Sequence, residues 1–189
     1  MTINSKVLAV AVIFGGTVSP AMADSLYAAL DVGQSMGKDI CTGLPAGVSG
    51  CKDSASLIRV AGGYQFTPMW GAEVSYGDYG KASAGTGFGL SVDWHLSGLQ
   101  ISGTGTFPIA SGFSLIGKLG IAQTDLKLSG GGTSISATST KLAIGIGAQY
   151  DFTNNISARA QYEDLGNVGD DNTGKTKLTL LSAGVVFKF

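Results

Sequence analysis

The stretch Lys141-Leu142-Ala143-Ile144-Gly145-Ile146-Gly147-Ala148-Gln149-Tyr150-Asp151-Phe152 decides the fold. Its character alternates with a period of two. Leu142, Ile144, Ile146, Ala148, Tyr150 and Phe152 share one face, and Lys141, Ala143, Gly145, Gly147, Gln149 and Asp151 share the other. Successive side chains of a strand point to opposite faces, so this is a strand and not a helix. One face is fit for lipid and the other is small or polar. A soluble ligand-carrying barrel would turn its apolar residues inward and carry far more charge outside.

The pattern recurs on either side. Ile58, Val60, Gly62, Tyr64 and Phe66 oppose Arg59, Ala61, Gly63 and Gln65; Ile156, Ala158, Ala160 and Tyr162 oppose Ser157, Arg159, Gln161 and Glu163. At the end of the chain Leu181, Ala183, Val185, Phe187 and Phe189 oppose Ser182, Gly184, Val186 and Lys188. Between such segments short and long connections take turns. The short ones are Thr67-Pro68-Met69, Pro108 to Gly112 and Thr153-Asn154-Asn155, rich in turn-forming residues and each with an aromatic close before it. The long ones are Met36 to Ala55, Gly80 to Thr86, Ser129 to Thr140 and Gly166 to Lys175. Four long and three short connections join eight strands. The expected fold is therefore an all-β, eight-stranded antiparallel up-and-down transmembrane β-barrel, with short turns and both termini on the periplasmic side and longer loops outside.

Aromatics gather beside the short turns. Tyr64, Phe66, Trp70, Phe107, Phe113, Tyr150, Phe152, Phe187 and Phe189 make one expected girdle, and Tyr76, Tyr79 and Tyr162 part of the other. One segment strains the scheme. From Gly87 to Phe107 the alternation slips, because Val92, Trp94 and Leu96 have one parity and Leu99, Ile101 and Phe107 the other; a bulge near Ser97-Gly98 would reconcile them.

The first residues suit this location. Lys6 precedes an apolar run from Val7 to Phe14, and Ala21-Met22-Ala23 follows Pro20, as in a cleaved secretory signal peptide. We expect residues 1–23 to be that signal and residues 24–189 to be the barrel domain. The apolar run is much too short for the roughly 20 residues of a membrane-spanning helix. Residues 24–189 carry a net charge of about −2 with no basic stripe, which argues against nucleic acid as a partner. Cys41 and Cys51 lie in a Gly-rich polar stretch of an exported chain, where a disulfide across the loop is expected. Free thiols or half of a metal site are the alternatives, and His95, the only histidine, offers little to complete a ligand set. No metal or other cofactor is expected.

The run Gly62-Gly63-Tyr64-Gln65-Phe66-Thr67-Pro68, then Gly71-Ala72-Glu73-Val74, Thr106-Phe107-Pro108-Ile109 and Gly117-Lys118-Leu119-Gly120, resembles the transmembrane domain of outer membrane protein A and its small-barrel relatives. The resemblance covers nearly all of the chain after residue 23. It implies the outer membrane of a Gram-negative bacterium, with outer-membrane lipid and lipopolysaccharide as neighbours. Phe187 and the terminal Phe189 resemble the aromatic signature read by the outer-membrane assembly machinery. The chain ends at its last strand, so the peptidoglycan-binding domain of that family, and its cell-wall tether, are not expected here.

Six charges fall on the inward parity of their strands: Asp31, Glu73 and Glu163 against Arg59, Lys118 and Arg159. Eight strands leave an interior that side chains just about fill, and charges held there must pair. A salt-bridge plug is the structural reading, which the resemblance also implies for Asp31, Arg59, Glu73 and Lys118. The functional reading is a low-conductance pore for small solutes or ions. An enzyme is a third possibility, because His95-Leu96-Ser97 matches the His-x-Ser of the lipid A deacylases. Gly98 replaces that family's Asn, and Ile109 stands where its acidic partner would be sought, so no catalytic residue is expected. The outer loops, rich in Gly, Ser and Thr, suit contact with a host, phage or other surface ligand.

Overall fold

A computed structural model describes residues 25–38, 54–85, 91–130, 133–168 and 176–189. Eight antiparallel strands, β1 (Ser25–Lys38), β2 (Ser54–Gln65), β3 (Trp70–Gly85), β4 (Ser91–Ala110), β5 (Phe113–Gly130), β6 (Thr133–Asp151), β7 (Ile156–Val168) and β8 (Thr176–Lys188), close into one barrel in sequence order. The closing seam joins β1 to β8 from Tyr27↔Lys188 to Lys38↔Lys177. Closure leaves no edge within the wall, the condition for a sheet to sit in hydrocarbon. The segment expected as a signal peptide lies outside the described residues, as do Cys41 and Cys51.

Burial alternates as the chemistry does. Ile58, Val60, Ile144, Ile146, Leu181 and Val185 are exposed on the outside, while Arg59, Ala61, Ala143, Gly145, Ser182 and Val186 are buried. The lipid face of β6 runs from Leu142 to Tyr150, close to the roughly 9–11 residues that cross a bilayer in a tilted strand. Below it, the aromatics beside the short turns stand on the outer surface, with Trp70 edge-on to Phe107 at 6.0 Å and Phe113 against Tyr150 at 4.9 Å. Tyr76 and Tyr162 lie on the outer surface at the opposite end of the lipid face.

Tyr79 does not join them. It is 1% exposed and packs inside the barrel with Leu57, Leu165, Leu178 and Leu180, where Leu96 leans on the same cluster. The apparent slip in β4 has this cause. Leu96 keeps the inward parity of Gln100, Ser102 and Thr104, and the lumen itself changes from polar to apolar near its outer end. The bulge sits in β3 and not in β4: Asp78 pairs with Ser97 and Lys81 with His95, so Tyr79 and Gly80 together oppose Leu96. Gly80 has φ +100°, a conformation that excludes most side chains.

Two expected loops are instead strand. β3 continues through Gly85, and β5 and β6 stay paired up to Gly130↔Thr133, so most of Ser129 to Thr140 is hairpin wall. That part stands beyond the lipid face, and residues 129–140 are nearly all Gly, Ser and Thr, so alternation carries little signal there. The short turns also differ from one another. Thr67 Oγ1 accepts from the Met69 and Trp70 amides, and Thr153 Oγ1 accepts in the same way from Asn155 and Ile156. Between β4 and β5, where no such Thr follows the aromatic, a Ser111-Gly112 turn with Gly112 at φ +75° replaces this device.

Candidate functional site

Midway along the lumen the six inward charges meet. Asp31 on β1, Arg59 on β2, Glu73 on β3, Lys118 on β5, and Arg159 and Glu163 on β7 are all at most 5% exposed. They form a closed ring of alternating sign. Arg59 Nε lies 3.1 Å from Asp31 Oδ2, and its Nη1 meets Glu163 Oε1. Lys118 Nζ lies 3.3 Å from Glu163 Oε2 and 2.8 Å from Glu73 Oε1. Arg159 Nη1 reaches Glu73 Oε2 at 2.6 Å and returns to Asp31 through Nη2 at 2.7 Å and Nε at 2.8 Å. The two nitrogens of Arg159 on Asp31 make a bidentate pair, the strongest geometry open to these groups.

Neutral side chains complete the shell. Tyr27 donates to Glu73 Oε2 at 3.0 Å, Gln100 Nε2 donates to Glu163 Oε2 at 3.0 Å, and Arg59 Nη2 donates to Gln161 Oε1 at 2.9 Å. Sequence reasoning did not single out these three. Their inward parity was readable, but an isolated Tyr or Gln does not announce which carboxylate it will meet. Three cations and three anions cancel, so each charge finds its partner within the wall and none is stranded in a low-dielectric interior.

The ring is the middle one of three layers along the lumen. On its outer side stand Tyr79 and the leucines around it, all nearly unexposed. On its inner side a small polar recess, lined in part by Tyr27, Gln65, Gln149 and Lys188, has a free volume of about 20 Å³, room for roughly one water molecule. Ser75 Oγ, Ser102 Oγ, Gln100 Oε1 and Gln161 Nε2 have no protein partner among the described residues, and these are the positions water would satisfy.

His95 and Ser97 lie elsewhere, on the outer face of β4 above the lipid face, while Leu96 between them turns inward. His95 Nε2 is 3.0 Å from Asp78 Oδ2, and the other oxygen of Asp78 accepts from the Gly80 amide at 2.9 Å. The acidic partner sought at position 109 is therefore supplied from the neighbouring strand, at the bulge. Such a pairing depends on register between strands and has no signature along one of them. The carboxylate ties the two sides of the bulge together, with Ser97 directly across the ladder from it. Among the described residues no group of three or more His, Cys, Asp or Glu side chains is arranged to hold a metal. Phe187 and Phe189 are exposed at the inner end, where the Phe189 amide donates to the Leu26 carbonyl at 2.9 Å.

Residues 8–189 match the outer membrane protein beta-barrel domain. Outer membrane protein A of Shigella flexneri is 30% identical over 135 residues, covering 68% of this chain and 38% of the relative. The corresponding protein of Yersinia pseudotuberculosis serotype I (strain IP32953) is 27% identical over 194 residues, covering 89% and 54%. The chain thus spans from about two fifths to about half of the length of these curated relatives. Among solved structures, Neisserial surface protein A superposes with a TM-score of 0.64 at 20% identity, covering 87% of this chain and 97% of that one. Ail of Yersinia pestis, crystallised with the heparin analogue sucrose octasulfate, gives 0.61 at 20% identity, covering 89% and 100%. The barrel domain of Pseudomonas aeruginosa OprF gives 0.61 at 18% identity, covering 89% and 98%. A closed eight-stranded wall with a lipid-ready outside, together with a family match along almost the whole chain, places this protein among the outer membrane protein A-like β-barrels of the bacterial outer membrane.

Proposed function

We propose that the protein is a structural and surface-interaction barrel whose lumen is plugged, and that it is neither a solute channel nor an enzyme. The observation that carries this reading is the closed ring of six buried charges, backed on its outer side by the apolar cluster around Tyr79. An ion entering would have to displace groups that already neutralise one another, in a barrel too narrow to add water around them. The outer ends are free for contact with a host, phage or other surface ligand, as Ail, which has been crystallised with a heparin analogue, illustrates for a barrel of the same fold. In this reading residues 1–23 direct export, Cys41 and Cys51 staple the first outer loop, and Phe187 and Phe189 present the chain to the assembly machinery.

Planar-bilayer recording of the refolded protein tests the plug. Little steady current is expected from the wild type. Sustained openings that change when Glu73 or Lys118 is neutralised would overturn the plug in favour of a low-conductance pore. For catalysis, the Asp78–His95 pair is read as the clasp of the β3 bulge. Mass spectra of lipid A from cells with and without the protein are expected to be the same, and loss of an acyl chain only in cells carrying intact His95 and Ser97 would reverse that reading.

A further inference from the structure

The β3 bulge joins the two faces of the wall at one point. Inside the barrel the aromatic ring of Tyr79 lies across the Gly77↔Gly98 pair of β3 and β4. A Cβ at Gly77 would come to 2.6 Å from one edge of that ring, and a Cβ at Gly98 to 2.7 Å from the other. The slot therefore exists only because both residues are glycine. Leu57, Leu165, Leu178 and Leu180 pack around it. Among the described residues the Tyr79 hydroxyl has no hydrogen-bond partner, although a buried hydroxyl nearly always has one. Burial thus favours the aromatic ring and disfavours its hydroxyl, which would gain water by leaving. The seated position is finely balanced, and it depends on how the backbone around Tyr79 is held.

Three contacts hold it. Ser35 Oγ, from β1, donates to the Tyr79 carbonyl at 2.5 Å. The Gly80 amide, next along the chain, donates to Asp78 Oδ1 at 2.9 Å, and Asp78 Oδ2 lies 3.0 Å from His95 Nε2. The last two contacts share one carboxylate. One of its oxygens fixes the peptide that follows Tyr79, and the other is fixed by a side chain of the next strand. The His95 and Asp78 side chains are 39% and 51% exposed on the outer surface, whereas Tyr79 is 1% exposed inside. Bulges re-aim a side chain, and here Gly80 at φ +100° supplies the point about which the chain can turn.

We infer that the bulge is a latch: the Asp78–His95 contact on the outer surface keeps Tyr79 seated above the charge ring, and loss of that contact releases the side chain toward the outer mouth of the lumen. A contact made outside the barrel is thereby felt inside it. A clasp that only stiffened the bulge would leave Tyr79 where it is, and this is the difference to be measured. The latch does not depend on whether the lumen conducts, because the charge ring lies below Tyr79 and keeps its own contacts.

Hydroxyl-radical footprinting of the full chain in lipid nanodiscs, read residue by residue by tandem mass spectrometry, tests the latch. In the wild type Tyr79 is expected to be scarcely oxidised. His95→Ala and Asp78→Ala are each expected to raise its oxidation severalfold, with Tyr27, on the inner side of the charge ring, keeping its wild-type level. His95→Gln, which can still donate to the carboxylate, is expected to stay near the wild type. The heat-dependent gel shift shows for each variant that the barrel is folded. His95→Ala changes only a side chain of the outer surface, and it decides alone if Asp78→Ala does not refold. Tyr79 shielded in a folded His95→Ala barrel would overturn the proposal, as would Tyr79 already oxidised in the wild type. Equal oxidation in His95→Gln and His95→Ala would overturn it as well, since the hydrogen bond would then not be what holds the latch.

Discussion

At the scale of single residues, the members of the charge ring are mutually dependent. Removing one leaves its partners buried and unpaired, which costs about 3–5 kcal/mol, whereas removing a matched pair costs far less. Each cation of the ring meets two carboxylates, but Arg159 alone also holds one of them, Asp31, through two nitrogens, so Arg159→Ala is expected to be the most damaging single change, while Glu73→Leu combined with Lys118→Met approaches wild type. Urea titration of the refolded barrels, followed by the loss of the compact gel band, measures the difference. If the double variant is as unstable as the sum of its singles, the ring is not one coupled unit. Gly184 is a second sensitive point. A Cβ there would lie 2.2 Å from Asp31 Oδ1 and 2.3 Å from the Leu30 carbonyl oxygen, so Gly184→Ala is expected to strain the β1–β8 seam and displace Asp31 together. A melting curve unchanged from wild type would contradict this.

Elements are shaped by what lies at their ends. The turns after β2 and β6 use the same hydroxyl to satisfy two backbone amides, so Thr67→Val and Thr153→Val are each expected to cost about 0.5–1.5 kcal/mol of stability, since water takes over the freed amides at these exposed turns. Refolding yields and melting temperatures of the two variants are expected to fall by similar amounts, since the two turns are chemically alike. In the turn after β4 the equivalent weak point is Gly112, where a side chain must be held at φ +75°. Gly112→Ala is expected to cost about 1–2 kcal/mol, and an unaltered midpoint would mean that the turn relaxes to another conformation.

For the molecule as a whole, closure of the wall and the filling of the lumen are separate properties. The wall depends on an unbroken ladder, so the protein is expected to run as a compact species in detergent until boiled, and then to change its migration. In the plugged reading proposed above, the lumen has two barriers in series, the charge ring and the apolar cluster above it. Tyr79→Ala, which opens only the upper one, is expected to leave the bilayer current near the wild-type level. Current that rises with this change alone would place the barrier at the cluster and not at the ring. Alternation in one strand reports which side a residue takes, and in that sense the inward parity of Asp31, Arg59, Glu73, Lys118, Arg159 and Glu163 was legible along the chain. Their order around the ring was not, because it depends on five strands meeting at matched heights. The bulge at Tyr79-Gly80 was invisible for the same reason: its evidence in sequence, the parity of Leu96, lies on the opposite strand.

By itself, then, the sequence determined the strand count, the lipid-facing side of the strands that alternate cleanly and the order of short and long connections. These follow from local alternation and turn chemistry, which the surrounding bilayer makes obligatory. Only the tertiary structure decided that Tyr79 turns inward, that Asp78 and not position 109 meets His95, and that the ladder of β6 with β5 runs on past the end of its ladder with β7. Each of these is set by the register of one strand against another, and where the wall leaves the membrane, water accepts either face of a strand and no pattern along the chain records it.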